Sequence, residues 1–204
     1  MSLLDLFNKN QYVIAGTLLF LAGFIAIMGI ITAEAFYPTV YTTSGNEISD
    51  LGGTRPPNSI ITQPSAIIFN STMIVTGIMS LISSYCIFLI YRKLLFSIPF
   101  TIFGIGVLGV GIFPGNIEVL HPIFALTTFI SGGVAAITSY KILKTPFSYI
   151  SICFGVIALS FLFFAGFFIP ILGSGGTERW IAYPIVMWLT CLGGYLLGKS
   201  TNNN

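Results

Sequence analysis

Glu118 and His121, in the stretch Phe113-Pro-Gly-Asn-Ile-Glu-Val-Leu-His121-Pro122, are the residues of this chain best suited to chemistry. On a helical turn their i, i+3 spacing puts both side chains on one face. An imidazole beside a carboxylate can work as a general base or a metal ligand, because it titrates close to neutral pH. The alternative is a histidine that caps a helix start by hydrogen bonding. One histidine with scattered acids matches no zinc pattern, so neither a metal nor another cofactor is expected. The second focus is Ile48-Ser-Asp-Leu-Gly-Gly53. There Asp50 either caps a short turn with Ser49 or folds down to meet His121 or Arg179. Ser49, Asp50 and His121 have the residue types of a hydrolytic triad, but adjacent Ser and Asp on one turn do not readily give its relay geometry. The catalytic candidates are therefore His121 and Asp50, with no assigned role. Asn70 lies about a turn inside an apolar stretch, where an amide facing lipid is costly, so it is expected to face inward and bond the loop. The expected ligand-binding set is Asp50, Asn70, Asn116, Glu118, His121 and Arg179, with Glu34, Arg55 and Glu178 nearby.

The elements that position these residues are set by hydropathy. The chain of 204 residues is 55% hydrophobic and 7% charged, with a mean hydropathy of +0.95. Soluble domains carry roughly 25% charged residues. A helix needs about 20 apolar residues to cross a bilayer, and six stretches free of Asp, Glu, Lys and Arg meet or approach that length. They lie at about Tyr12–Thr32, Ala66–Tyr91, Leu94–Phe113, Leu120–Tyr140, Phe147–Pro170 and Trp180–Gly198. The alternating short strands of an outer-membrane barrel are absent. Ala33-Glu34-Ala35 resembles a signal cleavage site, but the run before it is too long for a typical signal core, and the first stretch reads as a helix. The fold class is all-α: a polytopic six-helix membrane bundle, with an ordered outer loop between helices one and two. It forms a single domain over residues 1–198, followed by a disordered cytoplasmic tail at 199–204.

Charge gives the bundle a direction. Lys9, Arg92, Lys93, Lys141, Lys144 and Lys199 fall at the termini and the two even-numbered turns, against Arg55 and Arg179 on the other side. The positive-inside rule then puts both termini in the cytoplasm and the protein in the plasma membrane as a multi-pass chain. Glu34, Glu47, Asp50, Glu118 and Glu178 all fall outside, with the lone histidine. No charge lies near the midplane, which argues against a pump or a charge-coupled transporter. The basic residues are accounted for by topology, so no nucleic-acid partner is expected.

Gly104-Ile-Gly106-Val-Leu-Gly109 fits the spacing of a dinucleotide fingerprint, but it sits inside an apolar span with no preceding strand. Close helix packing explains it better, as it does Gly132-Gly133 and Gly194–Gly198. Cys86, Cys153 and Cys191 fall within helices and read as packing residues. No two of the cysteines lie in an outer loop to form a disulfide.

Ile48-Ser-Asp-Leu-Gly after helix one, Phe69-Asn70 opening helix two, Gly-Ile-Phe-Pro114 ending helix three and His121 opening helix four resemble an uncharacterised prokaryotic six-helix membrane family, domain of unknown function 998. The resemblance runs from about Gly16 to Gly198. That family often has Gly after the histidine, where this chain has Pro122. A more distant analogy is to Frag/DRAM-type membrane proteins. The family supplies no activity. The expected function is binding of a lipid headgroup or small polar ligand in a pocket at the outer face. The alternatives are a lipid-modifying hydrolase or transferase with His121 as base, and a structural subunit of a homo-oligomer or larger membrane complex.

Overall fold

The computed structural model describes the backbone of residues 3–38 and 41–201, and the side chains of 10–38 and 41–201. Six helices follow one another: α1 (Leu3–Ala35), α2 (Ser65–Tyr91), α3 (Leu94–Ile112), α4 (Leu120–Thr138), α5 (Phe147–Phe163) and α6 (Ala165–Thr201). There is no strand among the described residues. Five of these helices are long and apolar enough to cross a membrane; α5, with 17 residues, is shorter. Their outward faces carry large apolar side chains, among them Phe24, Ile67, Ile98, Ile123, Val156 and Met187. Several helix hydroxyls bond the backbone one turn earlier, as where Thr72 donates to Ile68 O at 2.7 Å and Thr128 to Phe124 O at 2.8 Å. Such bonds replace the water that an apolar setting withholds.

The fifth and sixth expected spans are divided differently from the reading above. Helix α5 stops at Phe163, and residues 165–172 form the leading segment of α6. The chain then folds back at Gly173, whose φ of 78° and ψ of 167° lie outside helical space. Only glycine adopts such a conformation without strain. Phe161 stacks on both Phe168 and Trp180, and Phe147 stacks on Tyr195, so α5 runs antiparallel to the trailing segment, 174–201. The tail expected to be disordered from 199 is helical through Thr201, and Lys199 Nζ donates to the Tyr91 hydroxyl at 3.2 Å. Asn202–Asn204 of that tail, and the Lys9 side chain used to orient the chain, lie outside the described residues.

Each helix packs against its neighbours in sequence, and α6 returns to α1, so the six close into a ring. Glycines set the approach. A β-carbon on Gly77 would lie 2.6 Å from the Leu108 amide nitrogen, and one on Gly16 would lie 2.9 Å from that of Leu197. Within the fingerprint-like run, Gly104 faces Leu81 and Gly106 and Gly109 face Thr128 and Phe124, which is helix packing. Gly194 and Gly198 differ from their expected role, having open space beside them; Gly193 makes the close contact with α1. Cys86 is buried, but Cys153 and Cys191 face outward instead of packing.

At the end holding the turns Arg92–Lys93 and Ser139–Pro146, the ring is solid. Trp188 is fully buried and makes edge-type contacts with Phe96 and Phe100 at 6.5 and 5.8 Å between ring centroids. Arg92 ends α2 in the left-handed conformation, its N–H donating to Phe88 O, which permits the tight turn into α3. The opposite end carries the long segment between α1 and α2, and the candidate site lies beneath it.

Candidate functional site

Arg179 makes the most bonds that tie the long segment to the helices. Arg179 Nη2 donates to Glu34 Oε1 at 2.5 Å and to the Tyr41 hydroxyl at 2.7 Å. Its Nη1 donates to the carbonyls of Thr43, Asn46 and Gly175 at 2.8, 3.0 and 3.0 Å. Tyr41 passes the connection on by donating to Glu47 O at 3.0 Å. Burial pushes the Tyr41 phenol above its ordinary value, and the Arg179 guanidinium pulls it back in part. Just after the Gly173 reversal, the amides of Gly175 and Gly176 donate to Ser44 O, and Ser174 Oγ donates to Gly45 O. These bonds satisfy N–H groups that the start of a helix leaves without partners.

Thus held, the segment forms a short 3₁₀ turn, Ile48–Leu51, over the mouth of the ring. Asp50 caps it: its carboxylate accepts the Glu47 N–H at 3.0 Å and the Asn46 amide at 3.4 Å. Ile48 and Leu51 are buried beside Phe69, Val110, Ile30 and Ala33. Glu178, next to Arg179 and so about 100° around the helix, points elsewhere and accepts the Ile48 N–H. Glu47 and Arg55 pair at 2.7 Å on the exposed rim.

Beneath the turn lies a cavity of about 80 Å³, several times the roughly 10–15 Å³ that one water requires. Its walls come from α1, α2, α3, α4 and α6, and are mainly aliphatic and aromatic. Ser49, His121 and Glu178 line it together with the hydroxyl-bearing Thr76 and Thr128. His121 is 2% exposed, and its Nδ1 lies 2.7 Å from Phe113 O, at the end of α3. A carbonyl only accepts, so Nδ1 carries the proton, and in the neutral ring Nε2 is an acceptor. Nε2 makes no hydrogen bond among the described residues. Thr76 is 3% exposed, and its Oγ1 likewise has no partner.

Of the six expected ligand-binding residues, His121 alone lines this cavity. Glu118 does not join it. A turn closed by the His121 N–H to Ile117 O leads into α4, yet Glu118 is exposed on it while His121 is buried. Asp50 and Arg179 are engaged in holding the loop, and neither makes a hydrogen bond to His121. Asn70 reaches the loop as expected, its Nδ2 lying 3.5 Å from Gly52 O. Asn116 is beside Gly53, and the Oδ1 atoms of both asparagines are buried without partners. The bonding of His121 to a helix end resembles the capping alternative, but the end is that of α3, not the start of its own helix. Thr76 and Thr128 were not picked out from sequence. Their signal is a hydroxyl among small residues, Thr76 beside Gly77 and Thr128 a turn before Ser131-Gly-Gly133. No group of His, Cys, Asp and Glu suited to a metal is present among the described residues.

Neither a curated protein nor a solved structure matches this chain. The model of one family, described as a protein of unknown function, DUF998, matches residues 20–195, and the chain belongs to that family.

Proposed function

We propose that this protein is a multi-pass membrane protein that binds an amphipathic, lipid-like molecule in the cavity under the Ile48–Leu51 turn. The carrying observation is the cavity itself: apolar walls and one polar end, where the buried Thr76 hydroxyl lacks a partner and the buried His121 ring bonds Phe113 O through Nδ1. Buried polar groups are nearly always hydrogen-bonded, so such a hydroxyl fits a site built for a ligand. Apolar side chains facing outward on all six helices support insertion in a bilayer. Arg92, Lys93, Lys141, Lys144 and Lys199 at the turn end support a cytoplasmic location for that end, with the cavity toward the outer face of the plasma membrane.

His121 would fix the ligand's polar end, the Ile48–Leu51 turn would cover it, and the walls formed by Phe103, Val107, Phe129 and Ile185 would take its chain. The earlier set centred on Asp50, Asn70, Asn116 and Arg179 becomes the support of the lid. The test is to purify the protein in mild detergent, extract it and identify what it retains by mass spectrometry. A single amphipathic species near one per chain is expected in the native protein and lost in Ala26→Trp, which fills the cavity. The reading fails if the native protein retains only the bulk lipid mixture and Ala26→Trp retains the same.

A further inference from the structure

We infer that the polar end of the cavity's ligand is a hydrogen-bond donor without negative charge, a hydroxyl or an ammonium group on an apolar chain. This rests on the proposed reading of the cavity as an amphipath site. The His121 ring has its Nδ1–H committed to Phe113 O, leaving Nε2 as the atom free to meet a ligand. The cavity walls are mainly aliphatic and aromatic, and no carboxylate among the described residues hydrogen-bonds the ring, so the neutral imidazole, which avoids the cost of a buried unpaired charge, is the form that meets a ligand. A neutral Nε2 accepts only, so the group that satisfies it must bring a hydrogen.

Charge around the same end points the same way. Glu178 is the charge-bearing side chain lining the cavity, and one of its oxygens already accepts the Ile48 N–H. Ionised, it attracts a cation and repels an anion; protonated, it supplies no positive charge. Arg179 is adjacent in sequence but does not line the cavity; its Nη1 and Nη2 are spent on Glu34, Tyr41 and three backbone carbonyls, and its Nε has no partner. Arg55 pairs with Glu47 on the exposed rim. A phosphate or carboxylate head would therefore meet no lysine or arginine among the side chains that line the cavity. Ser49 and Thr76 have hydroxyls, which suit either role, and Thr76 Oγ1 lies unpartnered for a second polar atom on the chain.

The test is a set of single-chain probes of matched length, a fatty alcohol, an alkyl amine, a fatty acid and an alkyl phosphate, titrated into the full-length protein in micelles. Binding is read by native mass spectrometry. The alcohol or the amine is expected to bind at least about tenfold more tightly than the acid and the phosphate, the scale of one hydrogen bond to a buried acceptor. If the amine leads, Glu178→Gln should weaken it and spare the alcohol. His121→Phe should lower alcohol binding, while Glu118→Gln, outside the cavity, should not. The comparison among probes uses the unmodified protein, so it stands even if a His121 variant fails to fold. Equal or tighter binding of the acid or phosphate overturns the inference and leaves the cavity reading intact. Binding of none of the four overturns both.

Discussion

The two ends of the helix ring use similar apolar residues for different purposes. At the turn end, Trp188, Phe96, Phe100, Leu192 and Leu196 fill the interior, and short turns close it. At the loop end the helices stand around a void, and the closure is polar: a 3₁₀ turn fixed by Asp50, with Arg179 and Glu178 binding the segment to α6. A packed interior gains dispersion contacts and resists deformation. A void forgoes those contacts. The loop end therefore relies on charge-assisted hydrogen bonds, which hold a lid without filling the space beneath it.

The largest effects should come from breaking each end by its own means. Arg179→Ala removes the bonds to Tyr41, Thr43 and Asn46 and leaves Glu34 unpaired. Losing one partner of a buried pair costs about 3–5 kcal/mol, so the thermal midpoint in micelles should fall and proteolysis within residues 36–64 should quicken. At the other end, Trp188→Ala should cost about 3–5 kcal/mol through the space it empties, with the loop still protected from protease. If Trp188→Ala exposes the loop as fully as Arg179→Ala does, the two ends are not separate.

A matched pair sharpens the contrast. Ala135 is fully buried in the solid half, whereas Ala26 is buried against the cavity. Ala135→Leu should cost about 1–3 kcal/mol by overpacking. Ala26→Leu should leave the thermal midpoint unchanged or raised, because its added atoms enter existing space. Equal destabilisation by the two would mean that the loop end is as tightly filled as the turn end. Gly115→Ala should cost a similar 1–3 kcal/mol, since its β-carbon would collide with the Gly53 carbonyl and neither backbone can yield easily.

The smallest effect belongs to pH. Tyr41 has a phenol raised above the ordinary value of 10.0 by burial. A raised folded-state value means that its contribution is complete below pH 10.0 and is lost as pH climbs through the folded value. The loop should therefore stay closed through neutral pH and loosen only in strong alkali. Tyr41→Phe should remove that step, at a cost of about 1 kcal/mol for the lost hydrogen bonds. Ultraviolet titration of the phenolate alongside loop proteolysis would check it; loosening well below pH 10.0 would assign the lid to another group.

Hydropathy alone determined that the chain is helical and where most helices lie, because an apolar run long enough to span leaves its backbone no other way to satisfy its hydrogen bonds. Charge placement likewise singled out the end with the acids and His121. Local chemistry was legible too: the Asp50 cap and the reach of Asn70 to the loop follow from residue type and position. What sequence could not supply was whatever depends on which helix faces which. Ring closure through α6 and α1 comes from Gly16 and Gly193 meeting across almost the whole chain, and nothing near either residue in sequence announces that approach. The reversal at Gly173 falls in the connection expected between Pro170 and Trp180; what was hidden is the break at Phe164, where the flanking residues are apolar and helix-compatible. The site changed most for the same reason. Glu118 and His121 looked paired from their spacing, but packing buries His121 and leaves Glu118 exposed. His121 meets Glu178, Ser49 and Thr76 only across the cavity, a neighbourhood set by how five helices pack, which no local spacing encodes.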